Sequence, residues 1–201
     1  MELVHPLTCI VSGPTGSGKS VFVAKLIREN IIHPKPDRIV WCYGEYQKLY
    51  ETLPEVEFVQ GLVQDFNPQL NNLLIIDDLM SENDKAVANL FTKGSHHKNI
   101  SVVYIVQNLF NKSKEHRTIS LNSQYLVAFK NPRDTNQISA LARQVYPRHF
   151  KSVLEAYADA TSVPYGYLLF DFKQSTDERY RLRTNIFPSE TQFVYLPHHL
   201  R

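Results

Sequence analysis

The chain has 201 residues, of which 43% are hydrophobic and 21% are charged. These values predict a single globular domain with a substantial hydrophobic core, and they exclude a disordered or collagen-like chain. The 22 Lys and Arg residues nearly balance the 20 Asp and Glu residues, which leaves a formal net charge of +2. No apolar run approaches the roughly 18 residues that are needed to cross a bilayer.

The N-terminal residues and the cysteines indicate where the protein works. Residues 1–11 lack a basic region followed by an apolar run and a small-residue cleavage site, so we expect a protein that is not secreted. Cys9 and Cys42 both lie in apolar, strand-like stretches. We expect them to be reduced thiols in the core of an intracellular protein, without a disulfide or a zinc site.

The small net charge conceals a gradient along the chain. Residues 1–84 contain 6 Lys and Arg residues and 12 Asp and Glu residues, a net charge of −6. Residues 112–151 contain 8 basic and 2 acidic residues, a net charge of +6. Such asymmetry indicates a polyanionic partner, although charges scattered over solvated faces are the alternative interpretation.

Strand-like and helix-like stretches alternate along the chain. The predicted elements are, in order, a strand over 7–12, a helix over 19–30, strands over 38–43, 56–59 and 73–76, a helix over 82–93 capped by Ser81 and ended by Gly94, strands over 102–106 and 125–129, helices over 134–145 and 148–159, and antiparallel strands over 167–172 and 179–187. This alternation predicts an α/β fold with a mostly parallel central sheet and helices on both faces. We expect one domain over 1–201, with its core at about 7–187 and a short tail over 188–201.

A glycine-rich motif lies between the first predicted strand and the first predicted helix. It fits the Walker A pattern G-x-x-x-x-G-K-[ST] as Gly13-Pro14-Thr15-Gly16-Ser17-Gly18-Lys19-Ser20. The glycines let successive backbone N–H groups point at phosphates, and the start of the helix adds its dipole. The motif predicts that ATP binds here, with Lys19 on the β- and γ-phosphates and the Ser20 hydroxyl on Mg²⁺.

The strand predicted over 73–76 leads into two adjacent carboxylates, Asp77 and Asp78. Ligands of parallel α/β sheets bind at the carboxyl ends of the strands, so we expect both side chains in one crevice. Asp77 is predicted to hold Mg²⁺ together with Ser20. Asp78 is predicted to polarise the water that attacks the γ-phosphate, with a cap on the following segment as the alternative.

The strand predicted over 102–106 leads directly into Gln107. An amide at this position can hydrogen-bond the γ-phosphate or the lytic water and respond when the phosphate leaves. An ordinary loop residue is the alternative. Trp41 and Tyr43 are candidates for stacking on adenine, although packing within the strand is the favoured interpretation.

Four segments together, 13–20, 73–78, 101–108 and 117–122, resemble the genome-packaging ATPases of double-stranded DNA viruses. These include the poxvirus-type packaging ATPase and its relatives in Polinton-like elements and adomaviruses, within the FtsK/HerA superfamily of P-loop DNA translocases. The similarity covers roughly residues 7–187. Many ATPases share the first two motifs, whereas the strand end at Gln107 and the segment beginning at Arg117 select this family.

The resemblance implies an ATP-hydrolysing translocase that packages double-stranded DNA into a capsid. It implies that Gln107 is a sensor, and that Arg117, with Arg133 as the alternative, is an arginine finger inserted into a neighbouring subunit. Copies of the chain would then form a ring, with DNA and capsid components as partners, in an infected host cell and without a membrane. Asp78 departs from many relatives of the superfamily, which have the longer Glu.

The segment between Asn108 and Arg117 contains Lys112 and Lys114. We predict a mobile loop that grips DNA phosphates without regard to sequence, with a solvated surface loop as the alternative. Another P-loop NTPase, such as a nucleotide kinase or an AAA+ helicase or initiator, is the alternative function. Stimulation of hydrolysis by DNA distinguishes a translocase from a kinase.

Overall fold

The structure is a computed structural model that describes residues 1–77, 79, 84–95, 98–110 and 113–196. Its strands are β1 (Leu3–Val4), β2 (Thr8–Ser12), β3 (Ile32–His33), β4 (Arg38–Tyr43), β5 (Glu57–Gln60), β6 (Asn72–Asp77), β7 (Ile100–Val106), β8 (Tyr125–Phe129), β9 (Tyr167–Asp171), β10 (Leu182–Thr184) and β11 (Phe193–Val194). Its α-helices are α1 (Lys19–Arg28), α2 (Asp84–Asn89), α3 (Lys114–Leu121), α4 (Asn136–Val145) and α5 (Phe150–Ala160). No helix in this described part of the chain is long and apolar enough to cross a membrane.

Nine of these strands form one sheet in the order β11-β10-β9-β8-β2-β7-β6-β4-β5. The six strands from β8 to β5 in this order are parallel to one another, whereas β9 pairs antiparallel with β8 and with β10, and β10 pairs antiparallel with β11. β7 lies between β2, which precedes the phosphate loop, and β6, which ends at Asp77. The carboxyl ends of these three strands therefore meet at one edge of the sheet, where ligands bind in open α/β folds.

Helices cover both faces of this sheet, as predicted. Successive residues of β7 point to opposite faces. Val103 and Ile105 belong to the core cluster that contains Phe22 of α1, while Val102 and Tyr104 belong to the cluster that contains the buried residues of α2, α4 and α5. Strands buried on both faces are apolar along most of their length, which is why β6 and β7 contain the apolar runs 73–76 and 102–106.

The two cysteines are core thiols, as expected. Cys9 and Cys42 are both buried and unpaired. Burial raises the pKa of the Cys9 thiol to about 12, so this side chain stays protonated and behaves as a small apolar residue.

Most predicted elements in the first half are present with bounds shifted by one or two residues, and β4 coincides with its prediction. The helix predicted over 82–93 is different. Among the described residues it is α-helical over Asp84–Asn89 and continues as a π-helix over Leu90–Gly94. Gly94 does not end it, because Ser95 keeps helical backbone angles. Ser81 and residues 82–83 lie outside the described residues.

Two predictions in the second half are corrected by the structure. The mobile loop predicted between Asn108 and Arg117 is helical from Lys114 onward, because the Ser113 hydroxyl caps α3 by accepting from His116 N at 3.1 Å. The strand predicted over 179–187 is only three residues long, since the Asp177 side chain caps a 3₁₀ turn over Glu178–Tyr180. Its antiparallel pairing with β9 is confirmed.

Candidate active site

The phosphate loop connects the end of β2 to the start of α1. Gly13 N donates to Val106 O at 3.2 Å, which joins the loop to the end of β7. Gly18 has a φ of 99°, in the left-handed region that glycine favours, and it precedes the first residue of α1. The predicted loop residues thus form a turn against a helix N-terminus, an arrangement suited to phosphate oxygens.

A cavity of about 760 Å³ lies beside this loop, a volume typical of small-ligand sites. The loop residues that line it are Thr15, Gly16, Gly18, Lys19 and Ser20. Asp77 from β6 and Gln107 from the end of β7 line the same cavity. Residues that the sequence places far apart are therefore brought to one site by the order of the three central strands.

The Lys19 side chain lies across the loop. Its Nζ donates to the Pro14 carbonyl at 2.9 Å. This contact holds an ammonium group over the turn whose backbone would receive phosphate.

Asp77 is the most heavily bonded side chain of the site. It is 5% exposed, and its Oδ2 accepts hydrogen bonds from Ser20 Oγ at 3.2 Å, Gln47 Nε2 at 3.3 Å and Tyr50 Oη at 3.3 Å. The Ser20 hydroxyl and the Asp77 carboxylate are the hard oxygen ligands that Mg²⁺ prefers, so these two residues fit the predicted metal site. The described residues contain no cluster of three His, Cys, Asp or Glu that could hold a metal.

Gln47 and Tyr50 are site residues that sequence reasoning missed. Both belong to the segment after β4, at and within a 3₁₀ turn over Lys48–Thr52. Tyr50 is 3% exposed, and burial together with the neighbouring Asp77 carboxylate raises the pKa of its hydroxyl. The hydroxyl therefore stays protonated and donates to Asp77. No motif marks these positions in the sequence.

The segment that follows β7 begins at Gln107 and is hydrogen-bonded to α4. Gln137, in the first turn of α4, accepts from Leu109 N at 2.6 Å and donates to Asn108 Oδ1 at 3.3 Å. The same amide donates to Asp134 Oδ2 at 2.7 Å. The Gln137 side chain therefore joins the segment after β7 to the start of α4.

Arg117 lies outside the cavity that contains the phosphate loop. It is in α3 and lines a second cavity of about 520 Å³, together with Lys114 and His116 of the same helix. The His116 ring pairs with Asp84 of α2 at 3.5 Å, which joins α3 to the helix that follows the Asp77 segment. The structure thus separates Arg117 from Lys19, Asp77 and Gln107 within one chain.

The two candidates for stacking on adenine do not lie in the cavity of the phosphate loop. Trp41 is fully buried in the core, where its ring lies 5.4 Å from that of Tyr50, and neither Trp41 nor Tyr43 lines the cavity of the phosphate loop. The interpretation of Trp41 and Tyr43 as strand residues agrees with this placement. Asp78 and Lys112 lie outside the described residues.

Solved structures of viral packaging proteins have a similar fold. The genome packaging NTPase B204 from Sulfolobus turreted icosahedral virus 2, in complex with sulfate, has a TM-score of 0.52 and 13% identity, covering 95% of this chain and 96% of that chain. Its complex with ATP-gammaS has a TM-score of 0.51 and 12% identity over 96% and 98% of the two chains. B204, the DNA-packaging ATPase from Sulfolobus Turreted Icosahedral Virus, has a TM-score of 0.52 and 13% identity over 99% and 100%.

These likenesses show that the chain has the fold of P-loop NTPases, and they extend over nearly its whole length. The neighbours named above are viral packaging NTPases, and the sequence motifs of this chain resemble the same class of proteins. No protein-family model and no curated protein matches the sequence.

Proposed function

We propose that this chain is an ATPase that translocates double-stranded DNA and packages a viral or virus-like genome into a capsid. The observation that carries the proposal is the contact between Ser20 and Asp77 beside Lys19, inside the cavity that the phosphate loop forms. The full-length likeness to a genome packaging NTPase supports the packaging role over other uses of the fold.

The proposed chemistry follows from these positions. The loop amides and Lys19 bind the β- and γ-phosphates, and Mg²⁺ held by Ser20 and Asp77 would neutralise charge that develops on the phosphates. Asp78 orients and polarises the attacking water, and Gln107 contacts the γ-phosphate or that water. In this proposal, the loop and α1 bind the phosphates. The side chains at the ends of β6 and β7 act on the bond between the β- and γ-phosphates, which hydrolysis breaks.

Arg117 is proposed to act on the nucleotide of a neighbouring copy. Its place in α3, outside the cavity of its own chain, agrees with a role in trans, and such a role requires that copies of the chain form a ring. Arg133 is the alternative finger. The ring encircles DNA inside an infected host cell, with capsid components as further partners.

Lys114 and Arg117 line one cavity on α3, so the proposed DNA grip and the proposed finger lie on neighbouring positions of one helix. Substitution separates the two roles. Lys114→Ala should reduce the salt dependence of DNA binding by a slope of about 1, while hydrolysis without DNA is unchanged. Arg117→Ala should instead abolish hydrolysis.

The proposed function is tested by measuring ATP hydrolysis with and without double-stranded DNA of unrelated sequences. We expect Mg²⁺-dependent turnover that every such DNA stimulates, and loss of turnover in Lys19→Ala. Turnover that DNA leaves unchanged would indicate a P-loop ATPase without a translocase role. Turnover retained in Lys19→Ala would contradict the site itself.

A further inference from the structure

The cavity beside the phosphate loop has two chemically different ends. Lys19, Ser20, Asp77 and Gln107 supply charge and hydrogen bonds at one end, while Val21, Lys25, Tyr165, Phe187 and Glu190 also line the cavity. An α-helix turns by about 100° per residue, so Ser20 is about 140° around α1 from Lys25. Ser20 faces Asp77, and the Lys25 side of α1 therefore lies away from the proposed γ-phosphate position.

This second end has a defined wall. Lys25 Nζ forms an ion pair with Glu190 Oε1 at 2.5 Å and lies 4.4 Å above the centre of the Phe187 ring. The Phe187 ring in turn packs edge-on against Phe22 of α1, with centroids 5.3 Å apart. These contacts hold the segment after β10 against α1, so the wall is fixed by the fold.

Tyr165 lines the same cavity, and two of its features are unusual for an aromatic residue. Its side chain is 71% exposed, so burial in the core does not explain it. Its φ of 62° lies in the left-handed region, which is uncommon for a bulky residue and unfavourable for it.

The turn that precedes β9 enforces this conformation. Gly166 N donates to Val163 O at 3.1 Å, and a Cβ on Gly166 would lie 2.4 Å from the Ala160 carbonyl oxygen. The Tyr165 ring is thereby set directly against the phosphate loop, since a Cβ on Gly18 would lie 3.1 Å from its Cδ1 atom. A flat aromatic surface is thus held in the wall of the cavity, next to the phosphate loop.

We propose that Tyr165 is the platform on which the base of the bound nucleoside triphosphate stacks. The inference rests on the proposed nucleotide site and adds the place of the base. A triphosphate whose γ-phosphate lies near Ser20 and Asp77 directs its ribose and base toward the Lys25 side of α1. Stacking uses the π-face that every base has, so the platform supplies affinity for a nucleobase in general rather than selectivity for adenine.

The test compares ATPγS, GTPγS and inorganic triphosphate by calorimetry on the full chain. Tyr165→Phe keeps the ring, and Tyr165→Asn removes it while keeping a residue that adopts left-handed backbone angles readily. We expect Tyr165→Asn to weaken the binding of ATPγS and of GTPγS about 5- to 150-fold, which is the range for loss of one base–aromatic stack. Inorganic triphosphate should bind the variant as it binds the parent, and Tyr165→Phe should match the parent with every ligand.

The control variant is Tyr180→Asn, which removes another exposed tyrosine that does not line the cavity. Unchanged nucleotide affinity in Tyr165→Asn would overturn the inference, and a simultaneous change in sedimentation would assign Tyr165 to an interface between copies. Equal weakening of triphosphate would also overturn it, because the loop itself would then be damaged. A parent chain that binds neither nucleotide nor triphosphate would contradict the proposed function as well.

Discussion

At the scale of single residues, Asp77 shows how a carboxylate is held in one orientation. Three donors from two separate segments converge on one of its oxygens. Hydrogen bonds to an ionised acceptor are roughly twice as strong as neutral ones, and Tyr50 cannot rotate away because its ring stacks on Phe58 at 4.4 Å. We therefore expect Gln47 and Tyr50 to be positioning residues that act through Asp77.

Tyr50→Phe removes one of these donors and leaves the packed ring in place. Mutation of a residue that hydrogen-bonds a metal ligand typically lowers metal affinity 10- to 100-fold. We therefore expect the Mg²⁺ concentration for half-maximal hydrolysis to rise about tenfold. Turnover at saturating Mg²⁺ should change little, because the ligand itself is retained. A Mg²⁺ titration of ATPase activity measures both quantities.

Tyr46→Phe is the matched control for this variant. Tyr46 is a neighbouring tyrosine that is 59% exposed and packs edge-on against Tyr50, so its substitution should leave the Mg²⁺ requirement unchanged. The same Mg²⁺ requirement in Tyr50→Phe and the parent chain would show that the hydroxyl does not position Asp77.

At the scale of elements, local pattern decides how much the sequence predicts. The buried strands β6 and β7 and the phosphate loop are predicted well, because a continuous apolar run or a glycine motif is a local property. α3 is missed because only Ile119 of its residues is buried, so the helix has no apolar stripe. Its stability comes instead from a cap at Ser113 and from the contact of His116 with α2.

The sequence identifies residues of the candidate site only where a local motif contains them. Lys19, Ser20, Asp77 and Gln107, which the motifs mark, line one cavity. Gln47 is separated from Asp77 by 30 residues along the chain, and it reaches Asp77 only because β4 pairs next to β6. Tyr165 likewise reaches the loop through the path of the chain before β9. Contacts that depend on strand order leave no local pattern in the sequence.

The Ser113 cap gives a prediction at this scale. Ser113→Ala leaves the His116 N–H without its partner, and loss of such a cap costs about 1 kcal/mol of stability. Ser113→Asp keeps an acceptor at the same place and should unfold at the denaturant midpoint of the parent chain. Urea denaturation followed by circular dichroism measures the difference, and equal midpoints for Ser113→Ala and Ser113→Asp would contradict a stabilising cap.

At the scale of the whole molecule, the charge gradient acquires a spatial meaning. α1 packs on one face of the sheet with the core cluster of Phe22, whereas α3 and α4 contribute Ile119 and Ile138 to the cluster on the other face. The two helices α3 and α4 of the basic region therefore lie on the face opposite α1. If the proposed function is correct, this arrangement leaves α3 and α4 available to an anionic or subunit partner while nucleotide occupies the proposed site.

This separation predicts that two inactive variants complement each other. Lys19→Ala removes the phosphate contact but keeps Arg117, and Arg117→Ala removes the proposed finger but keeps the loop. An arginine finger contributes about 10³-fold or more to turnover, so each variant alone should be nearly inactive. In a mixed ring, an intact loop meets an intact Arg117 wherever the two kinds of subunit adjoin in the productive order.

ATPase activity should therefore reappear when the two variants are mixed, and it should be greatest near equal proportions. The Lys19→Ala Arg117→Ala double variant is the control, because mixing it with either single variant produces no interface in which both groups are intact. Equilibrium binding of ATPγS to Arg117→Ala should match the parent chain, since the finger acts in the transition state. If the mixture stays as inactive as its components while Arg117→Ala binds ATPγS normally, Arg117 is not a finger in trans, and Arg133→Ala mixed with Lys19→Ala becomes the decisive pair.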